Sequence, residues 1–323
     1  MPRLLLILVC AGAGLCLVDA AVPNFASRAS ADADGGVPAP DQAERGSRGE
    51  EAFKQALARL KAPEPAERAR AADELGQRGY RFRQPISEAL RPMLKSDPDP
   101  LVRAAAGRAL GRLGVREAVP ELVSALEDRS VEVRVVAAAA LWRLPDPSAV
   151  PALLARSEDK DKAVREWSAL ALGVAADPRA LPVMIRLLGD PERPVRLAAV
   201  RSLGRIGRPD GLDPLVQYVK TGKRDEEEKD EVINSVVSIS GPEREPALLR
   251  VLSGASSDAP LRARVALALG KVGEEPSVPV LRKLSAKDGT PAVRSAAKEA
   301  LSALQDRLKG ATHALVTDAA ARP

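Results

Sequence analysis

Hydrophobic positions recur along the chain with a helical period, and the same pattern returns about every 31 residues. Val102, Val133, Val164 and Val195 each begin such a segment, and an arginine follows each valine. A small residue and a leucine lie seven and eight positions later, on the helical face that carries the valine. The pattern predicts an amphipathic helix in each repeat, preceded by a shorter helix that usually has proline near its first turn.

The repeat continues on both sides of these segments. Its phase returns at Leu261, at Val293 and, toward the N-terminus, at Glu67. The segment 230–241 fills the remaining gap but lacks the Val-Arg and Leu-Gly pairs. A single helical hairpin cannot bury such an apolar face, whereas stacked hairpins bury it against one another. The sequence therefore predicts an all-α fold, a right-handed α-solenoid of about eight helical hairpins over residues 49–308.

Glycine follows several of the predicted second helices, at Gly114, Gly207 and Gly273. A glycine at this place commonly ends a helix in the left-handed conformation, which is unfavourable for other residues. We expect all three glycines to adopt it.

The stretch SDPDPLVRAAAGRALGRLGVREAVPELVSALED, Ser96 to Asp128, resembles the HEAT repeat, and within it the phycobilisome-lyase HEAT-like type. The resemblance implies a solenoid that acts as a scaffold or adaptor, because such repeats occur mostly in those proteins. It also brings two enzymatic alternatives. Bilin lyases attach chromophores to cysteines of their partners, which predicted export disfavours. An iron-dependent hydroxylase of this architecture needs several His-Glu pairs, and this chain has one histidine, His313.

The ends of the chain differ in composition from the repeats. Residues 1–20 combine a basic start, an apolar run and small residues before Ala21, which predicts a cleaved signal peptide, with a signal anchor as the alternative. Residues 21–48 are predicted to be a flexible linker and residues 309–323 a disordered tail. We therefore expect an exported protein of a bacterial periplasm or exterior, with no membrane span after signal cleavage.

Residues suited to catalysis are scarce. The two cysteines, Cys10 and Cys16, lie in the predicted signal, so the mature chain would lack disulfides, thiolate metal sites and a cysteine nucleophile. The residues before them do not form a lipoprotein signal. Neither a G-x-S-x-G motif nor a glycine-rich phosphate loop is present. The sequence predicts no cofactor and no catalytic residue, and an enzyme or enzyme subunit is the alternative.

Stacked repeats would align the arginines that follow each repeat start into a ladder: Arg103, Arg134, Arg165, Arg196, Arg262 and Arg294. In the structural interpretation, each arginine pairs with an acid of the turns, such as Asp99, Asp128, Asp159 or Asp190. In the functional interpretation, the ladder binds anions.

A second basic column lies nine residues further along each helix: Arg112, Arg143, Arg205 and Lys271, with Arg108 and Arg201 beside it. Val174 interrupts the column. These side chains are either solvated helix surface or a patch for an acidic protein partner, which a net charge of +5 permits. Anionic polysaccharide and lipid headgroups are further alternatives. Export and the scarcity of aromatic residues argue against nucleic acid.

Two tryptophans break the repeat in adjacent units. Trp142 stands where other repeats have glycine or serine, and Trp167 stands where several have alanine. Tryptophan is a favoured interface anchor, and packing is the equal alternative. Together with Arg143 they form the most specific partner-binding candidate. The sequence thus predicts a non-catalytic scaffold that binds proteins on an extended surface.

The segment KTGKRDEEEKDE, residues 220–231, contains six acids and four bases where the repeat lengthens. We expect a solvated turn and helix end, with a partner-specific loop or hinge as the alternative.

Overall fold

The computed structural model describes residues 40–77, 82–221, 224–255 and 258–320. The predicted signal peptide and most of the predicted linker lie outside these ranges. The chain divides into two compact units, Met1–Glu50 and Glu51–Pro323, and the repeats lie in the second.

Helices pair into eight hairpins, each made of a first and a second helix. The first helices are α1 (Pro40–Arg59), α3 (Arg83–Ser96), α5 (Val119–Ala125), α7 (Val150–Arg156), α9 (Leu181–Leu187), α11 (Leu212–Lys220), α13 (Arg244–Gly254) and α15 (Ser277–Lys287). The second helices are α2 (Pro65–Gln77), α4 (Pro100–Arg112), α6 (Val131–Arg143), α8 (Lys162–Ala175), α10 (Arg193–Ile206), α12 (Glu226–Ser238), α14 (Ala259–Val272) and α16 (Pro291–Ala320). The described ranges contain no β-strand, so the predicted all-α solenoid class is confirmed.

Stacking follows the order of the chain. Each second helix packs against the second helices of the adjacent repeats, and from α3 onward each first helix packs against the second helix of its own hairpin. The predicted small and leucine columns lie in this core: Ala109 and Leu110 are fully buried, as are Ser202 and Leu203. Each hairpin therefore buries its apolar face against a copy of itself, as the repeat predicts.

The degenerate repeat stacks in register despite its missing Val-Arg and Leu-Gly pairs. Helix α12 packs between α10 and α14. Its small residue Ser235 occupies the buried column, and its hydroxyl donates a 2.9 Å hydrogen bond to the Val200 carbonyl of α10. Register is therefore kept by the small column, which the sequence pattern of this repeat retains.

Helix ends differ from expectation at three places. Helix α1 begins at Pro40, inside the predicted linker, and α16 continues to Ala320, through most of the predicted tail. The alanine-rich tail has high helix propensity, which outweighs its lack of an apolar period. Gly114 and Gly207 are left-handed with φ of 68° and 69°, whereas Gly273 has φ −69° and an extended conformation. The prediction of a left-handed Gly273 is therefore wrong.

Among the described helices, none combines the length and the apolar character that a membrane crossing needs.

Candidate functional site

The ladder arginines tie each repeat to the next. Arg103 donates from Nε and Nη2 to the two carboxylate oxygens of Asp128, at 2.7 and 2.8 Å. Its Nη1 donates to the carbonyls of Asp97 and Pro98 in its own turn. Three further ladder arginines form the same two-oxygen pair with the aspartate of the next turn: Arg134 with Asp159, Arg165 with Asp190, and Arg262 with Asp288.

The acceptor aspartates also order their own turns. Asp128 accepts the backbone N–H of Ser130 at 2.8 Å, and Asp190 accepts that of Glu192 at 2.9 Å. Each carboxylate thus joins an arginine of the preceding repeat to the start of its own second helix. Because bidentate arginine–carboxylate pairs fix geometry as well as charge, the ladder sets the register between repeats.

Sequence reasoning missed one ladder member and misassigned one acid. Arg68 forms the same bidentate pair with Asp97, at 3.0 Å for both bonds, and its place directly after Glu67 could have revealed it. Asp99, expected to pair with an arginine, instead caps α4 by accepting the Leu101 N–H. Arg294 belongs to the last hairpin, and within the described residues it donates to the Asp288 carbonyl alone.

The degenerate repeat rebuilds the ladder from different residues. Arg196 donates from Nε to the buried Glu228 carboxylate at 3.0 Å and to the Tyr218 hydroxyl at 3.2 Å. The Tyr218 hydroxyl in turn donates to Glu228. Burial and this bond to a carboxylate raise the pKa of Tyr218 to about 12. The glutamate therefore replaces the turn aspartate that this repeat lacks.

The other acids of α12 pair with the neighbouring second helices. Glu227 and Glu231 pair with Arg201 of α10, and Glu226 and Asp230 pair with Arg264 of α14. The start of α12 is solvent-exposed, as expected for a helix end, with Glu226 and Glu227 54% and 56% exposed, but its acids also pair with neighbouring repeats. Its carboxylates form ion pairs between repeats, and the sequence pattern of one helix does not reveal such pairs.

Four ladder aspartates have lowered pKa values: Asp128, Asp159, Asp190 and Asp288. Burial by itself would raise the pKa of Asp128, Asp159 and Asp190, but hydrogen bonds from the paired arginine and from a backbone N–H outweigh it. For Asp288, the hydrogen bonds from Arg262 and from Thr290 lower the pKa directly.

Stability should therefore fall in acid. A carboxyl with a lower pKa in the folded state binds fewer protons there, so its contribution is complete above the unfolded pKa, about 3.9, and is lost as pH falls through the folded value. We expect the melting temperature, followed by circular dichroism, to drop steeply below about pH 4. A variant with Asp128, Asp159 and Asp190 changed to Asn should have a lower melting temperature at neutral pH and a smaller decrease in acid. If the melting temperature falls equally in the two proteins, the ladder carboxyls are not the source of the acid sensitivity.

Glycines allow the second helices to approach closely. A methyl group on Gly111 of α4 would lie 2.7 Å from Cβ of Ala140 on α6, and one on Gly173 of α8 would lie 2.8 Å from Cα of Ser202 on α10. Side-chain carbon atoms do not approach so closely, so these joints require glycine. Trp142 holds the equivalent position on α6, facing α8.

The two tryptophans contact each other across that joint. Their ring centroids are 5.8 Å apart with an interplanar angle of 68°, an edge-to-face arrangement favourable for aromatic rings. Both half-buried rings pack against the core, and Trp142 Nε1 is buried without a hydrogen-bond partner in the described residues. The pair therefore fills a joint that glycine and alanine fill elsewhere.

Four cations of the predicted second column form an exposed row, which we call the basic edge: Arg112, Arg143, Arg205 and Lys271. They follow the repeat near the C-terminal ends of α4, α6, α10 and α14. No described carboxylate forms an ion pair with any of them. The Arg143 guanidinium lies 5.8 Å from the Trp142 ring centroid, within cation–π range.

Arg108 and Arg201, the other predicted members, are neutralised within the chain. Arg108 pairs with Asp73 at 3.0 Å and with Glu132 at 3.1 Å, and Arg201 pairs with Glu231 at 3.3 Å. These two arginines therefore connect second helices, and we remove them from the partner-binding set.

Glu166 is a half-buried carboxyl on the exposed side of α8. Burial raises its pKa, and the charges of Arg201 and Lys162 offset this only in part. No described group forms a hydrogen bond with it. The described residues also contain no group of three or more His, Cys, Asp or Glu side chains placed to hold a metal ion.

Comparison with protein families matches this chain to HEAT repeats over residues 51–129, 87–173, 119–192, 151–231 and 221–302. The matches together extend over most of the chain. No curated protein matches it.

Solved structures share the fold at low identity. The YibA protein of Escherichia coli is 21% identical, with a TM-score of 0.53, covering 83% of this chain and 99% of that one. The CpcE–CpcF complex of phycocyanin lyase from Nostoc sp. PCC7120 is 23% identical, with a TM-score of 0.45, covering 86% and 99%. Human deoxyhypusine hydroxylase in complex with glycerol is 22% identical, with a TM-score of 0.36, covering 83% and 100%. At 21% identity the likeness to the YibA protein concerns the fold alone.

Proposed function

The chain belongs to the HEAT-repeat family, and from this premise we propose that it is a non-catalytic scaffold or adaptor that binds a partner protein on the exposed side of its second helices. The observation that carries the proposal is the basic edge. Nearly all ladder arginines, together with Arg108, Arg201 and Arg264, are neutralised inside the chain, whereas no carboxylate among the described residues neutralises the four cations of the edge. An exposed row of unneutralised charge, with members on α4, α6, α10 and α14, supports binding to an extended surface.

An enzymatic role is the alternative, and the candidate groups for it are isolated. Glu166 has the raised pKa of a general acid, yet no described residue forms a hydrogen bond with it. A groove of about 560 Å³ between α1 and α3 contains one carboxylate, Glu88, and a groove of about 460 Å³ between α15 and α16 contains one, Glu275. Paired carboxylates or a carboxylate–histidine pair, the usual means of acid–base catalysis, are found in neither groove.

We place the protein in the cell envelope or exterior, on the strength of the predicted signal peptide. Mass spectrometry of the protein from its native cells should find a mature chain that begins at Ala21.

Site-specific photo-crosslinking in those cells tests the scaffold role. A photoreactive residue at Ala139 of α6 or at Asn234 of α12 would stand on the exposed side of the second helices without removing a cation. We expect both positions to crosslink to the same protein. Arg282, exposed on the first helix α15, is the matched control and should not. Crosslinks from Arg282 alone, or none from Ala139 and Asn234, would overturn the proposal.

A further inference from the structure

Four consecutive second helices contribute one residue each, at the same repeat position, to the row that contains the basic edge. The tenth residue after each repeat start is Arg112 on α4, Arg143 on α6, Val174 on α8 and Arg205 on α10. The three arginines are exposed, and the valine is half-buried. The edge therefore presents two cations, an apolar position and a third cation, in that order.

The surface beside the apolar position is also apolar. Leu170 and Val174 of α8 are half-buried, and they lie three and seven residues after Trp167, on the same face of that helix. Glu166 lies two helical turns from Val174, about 12 Å along the helix axis at 1.5 Å per residue. Its charge therefore lies away from the basic edge, beside Arg201 and Lys162.

Charge in two neighbouring rows of this surface is organised differently. One turn before the basic edge, arginines and acids pair across repeats, as in Arg108 with Glu132 and Arg201 with Glu231. Toward the C-terminal ends, where the basic edge lies, the cations have no carboxylate partner in the described chain. A ligand with carboxylates at matching intervals would neutralise the cations of the basic edge.

We propose that the basic edge binds an acidic, extended segment of the partner protein, which crosses α4, α6, α8 and α10 with carboxylates at Arg112, Arg143 and Arg205 and an apolar side chain at Val174. The inference rests on the proposed scaffold function and names the chemistry of its partner. Packed helices lie about 8–10 Å apart, and an extended chain in the polyproline II conformation advances about 3.1 Å per residue and turns once every three residues. One ligand side chain in three therefore meets each successive helix.

The test uses the peptide ESTESTLSTE, which carries this spacing and little helix propensity. The peptide EEESTSTLST has the same composition with its glutamates clustered, and KSTKSTLSTK has the opposite charge. Binding is measured by fluorescence anisotropy of the labelled peptide. The emission of the full chain provides a second readout, because its two tryptophans both lie beside the proposed site.

We expect the spaced peptide to bind more tightly than the clustered one, the lysine peptide not to bind, and tryptophan emission to change on binding. Exposed ion pairs are worth up to about 1 kcal/mol each, so reversing Arg112, Arg143 and Arg205 together to Glu should weaken binding at least about tenfold. Added salt should weaken binding of the wild type for the same reason.

Arg129→Glu is the matched control. Arg129 is exposed in the turn between α5 and α6, its side chain forms no ion pair in the described residues, and its reversal changes the net charge by two, as the reversal of any single edge arginine does. Binding to this variant should stay within about twofold of wild type, since distant surface charges are screened. A loss of binding free energy in Arg129→Glu that reaches one third of the loss in the triple variant would reduce the effect to net charge and overturn the site.

Two further outcomes separate this inference from the scaffold proposal. If Ala139 and Asn234 crosslink to a protein but neither glutamate peptide binds the edge, the partner class is wrong and the scaffold role stands. If heparin or phosphatidylglycerol vesicles bind more tightly than the spaced peptide, and the triple reversal abolishes that binding, the edge recognises polyanions and the peptide proposal fails.

Discussion

Replacing Arg165 with alanine is expected to lower the free energy of unfolding by about 3 kcal/mol, the low end of the range for a broken buried ion pair. Arg165 and Asp190 are only 14% and 6% exposed, and their two hydrogen bonds measure 2.8 and 3.0 Å. The substitution leaves a largely buried carboxylate with one remaining partner, the Glu192 N–H. It also removes the donor to the carbonyls of Asp159 and Lys160.

Arg179→Ala is the control, because Arg179 also pairs with an aspartate, Asp177, but is 59% exposed. Exposed pairs contribute about 0–1 kcal/mol, so this variant should unfold close to wild type in urea. Arg165→Lys should recover little, since an ammonium cannot form the two parallel bonds. If Arg165→Ala lowers the free energy of unfolding by less than about 1 kcal/mol, the ladder pairs contribute no more than exposed surface ion pairs do. The recurring arginine would then need the anion-binding explanation.

Repeat phase predicted most of the fold because stacking imposes the same requirement on every unit. The eight hairpins, their buried leucine and small columns and the proline starts all follow from one self-complementary surface. Even α12 stacks in register, because the position facing Gly204 is still small, at Ser235. The ends of the array were predicted poorly, since no further repeat constrains them there.

The site was less predictable because its charges depend on pairing between repeats. Nothing in the local sequence distinguishes Arg108, which pairs with acids of both neighbouring repeats, from Arg112, one turn later, which pairs with no acid of the described residues. The two tryptophans were recognised as breaks in the pattern, but their mutual contact depends on how α6 and α8 align. Pattern reasoning finds which positions are unusual, and only the packed helices show which of them remain available to a partner.

Gly173→Ala is expected to destabilise the protein by about 1–3 kcal/mol, although alanine normally favours a helix over glycine. The added methyl group would lie 2.8 Å from Cα of Ser202, a backbone atom that cannot move without shifting α10. It would also disturb the buried Ser202 hydroxyl, which donates a 2.8 Å hydrogen bond to the Ala169 carbonyl of α8. Urea denaturation of the full chain, followed by circular dichroism, gives the change in unfolding free energy.

Gly310→Ala supplies the control of opposite sign. Gly310 is exposed in α16, and a methyl group there would meet no other atom within 4 Å. Helix propensity alone should then stabilise this variant, by at most about 1 kcal/mol. Two identical substitutions with opposite effects would show that close approach of second helices, rather than helix formation, limits the stability of the stack. Stabilisation by Gly173→Ala would instead mean that the α8–α10 joint yields readily. Trp142 replaces this glycine at the α6–α8 joint. Its contact with Trp167 would then show only that such a joint accommodates a larger side chain, and not that the ring pair replaces the close helix packing seen elsewhere.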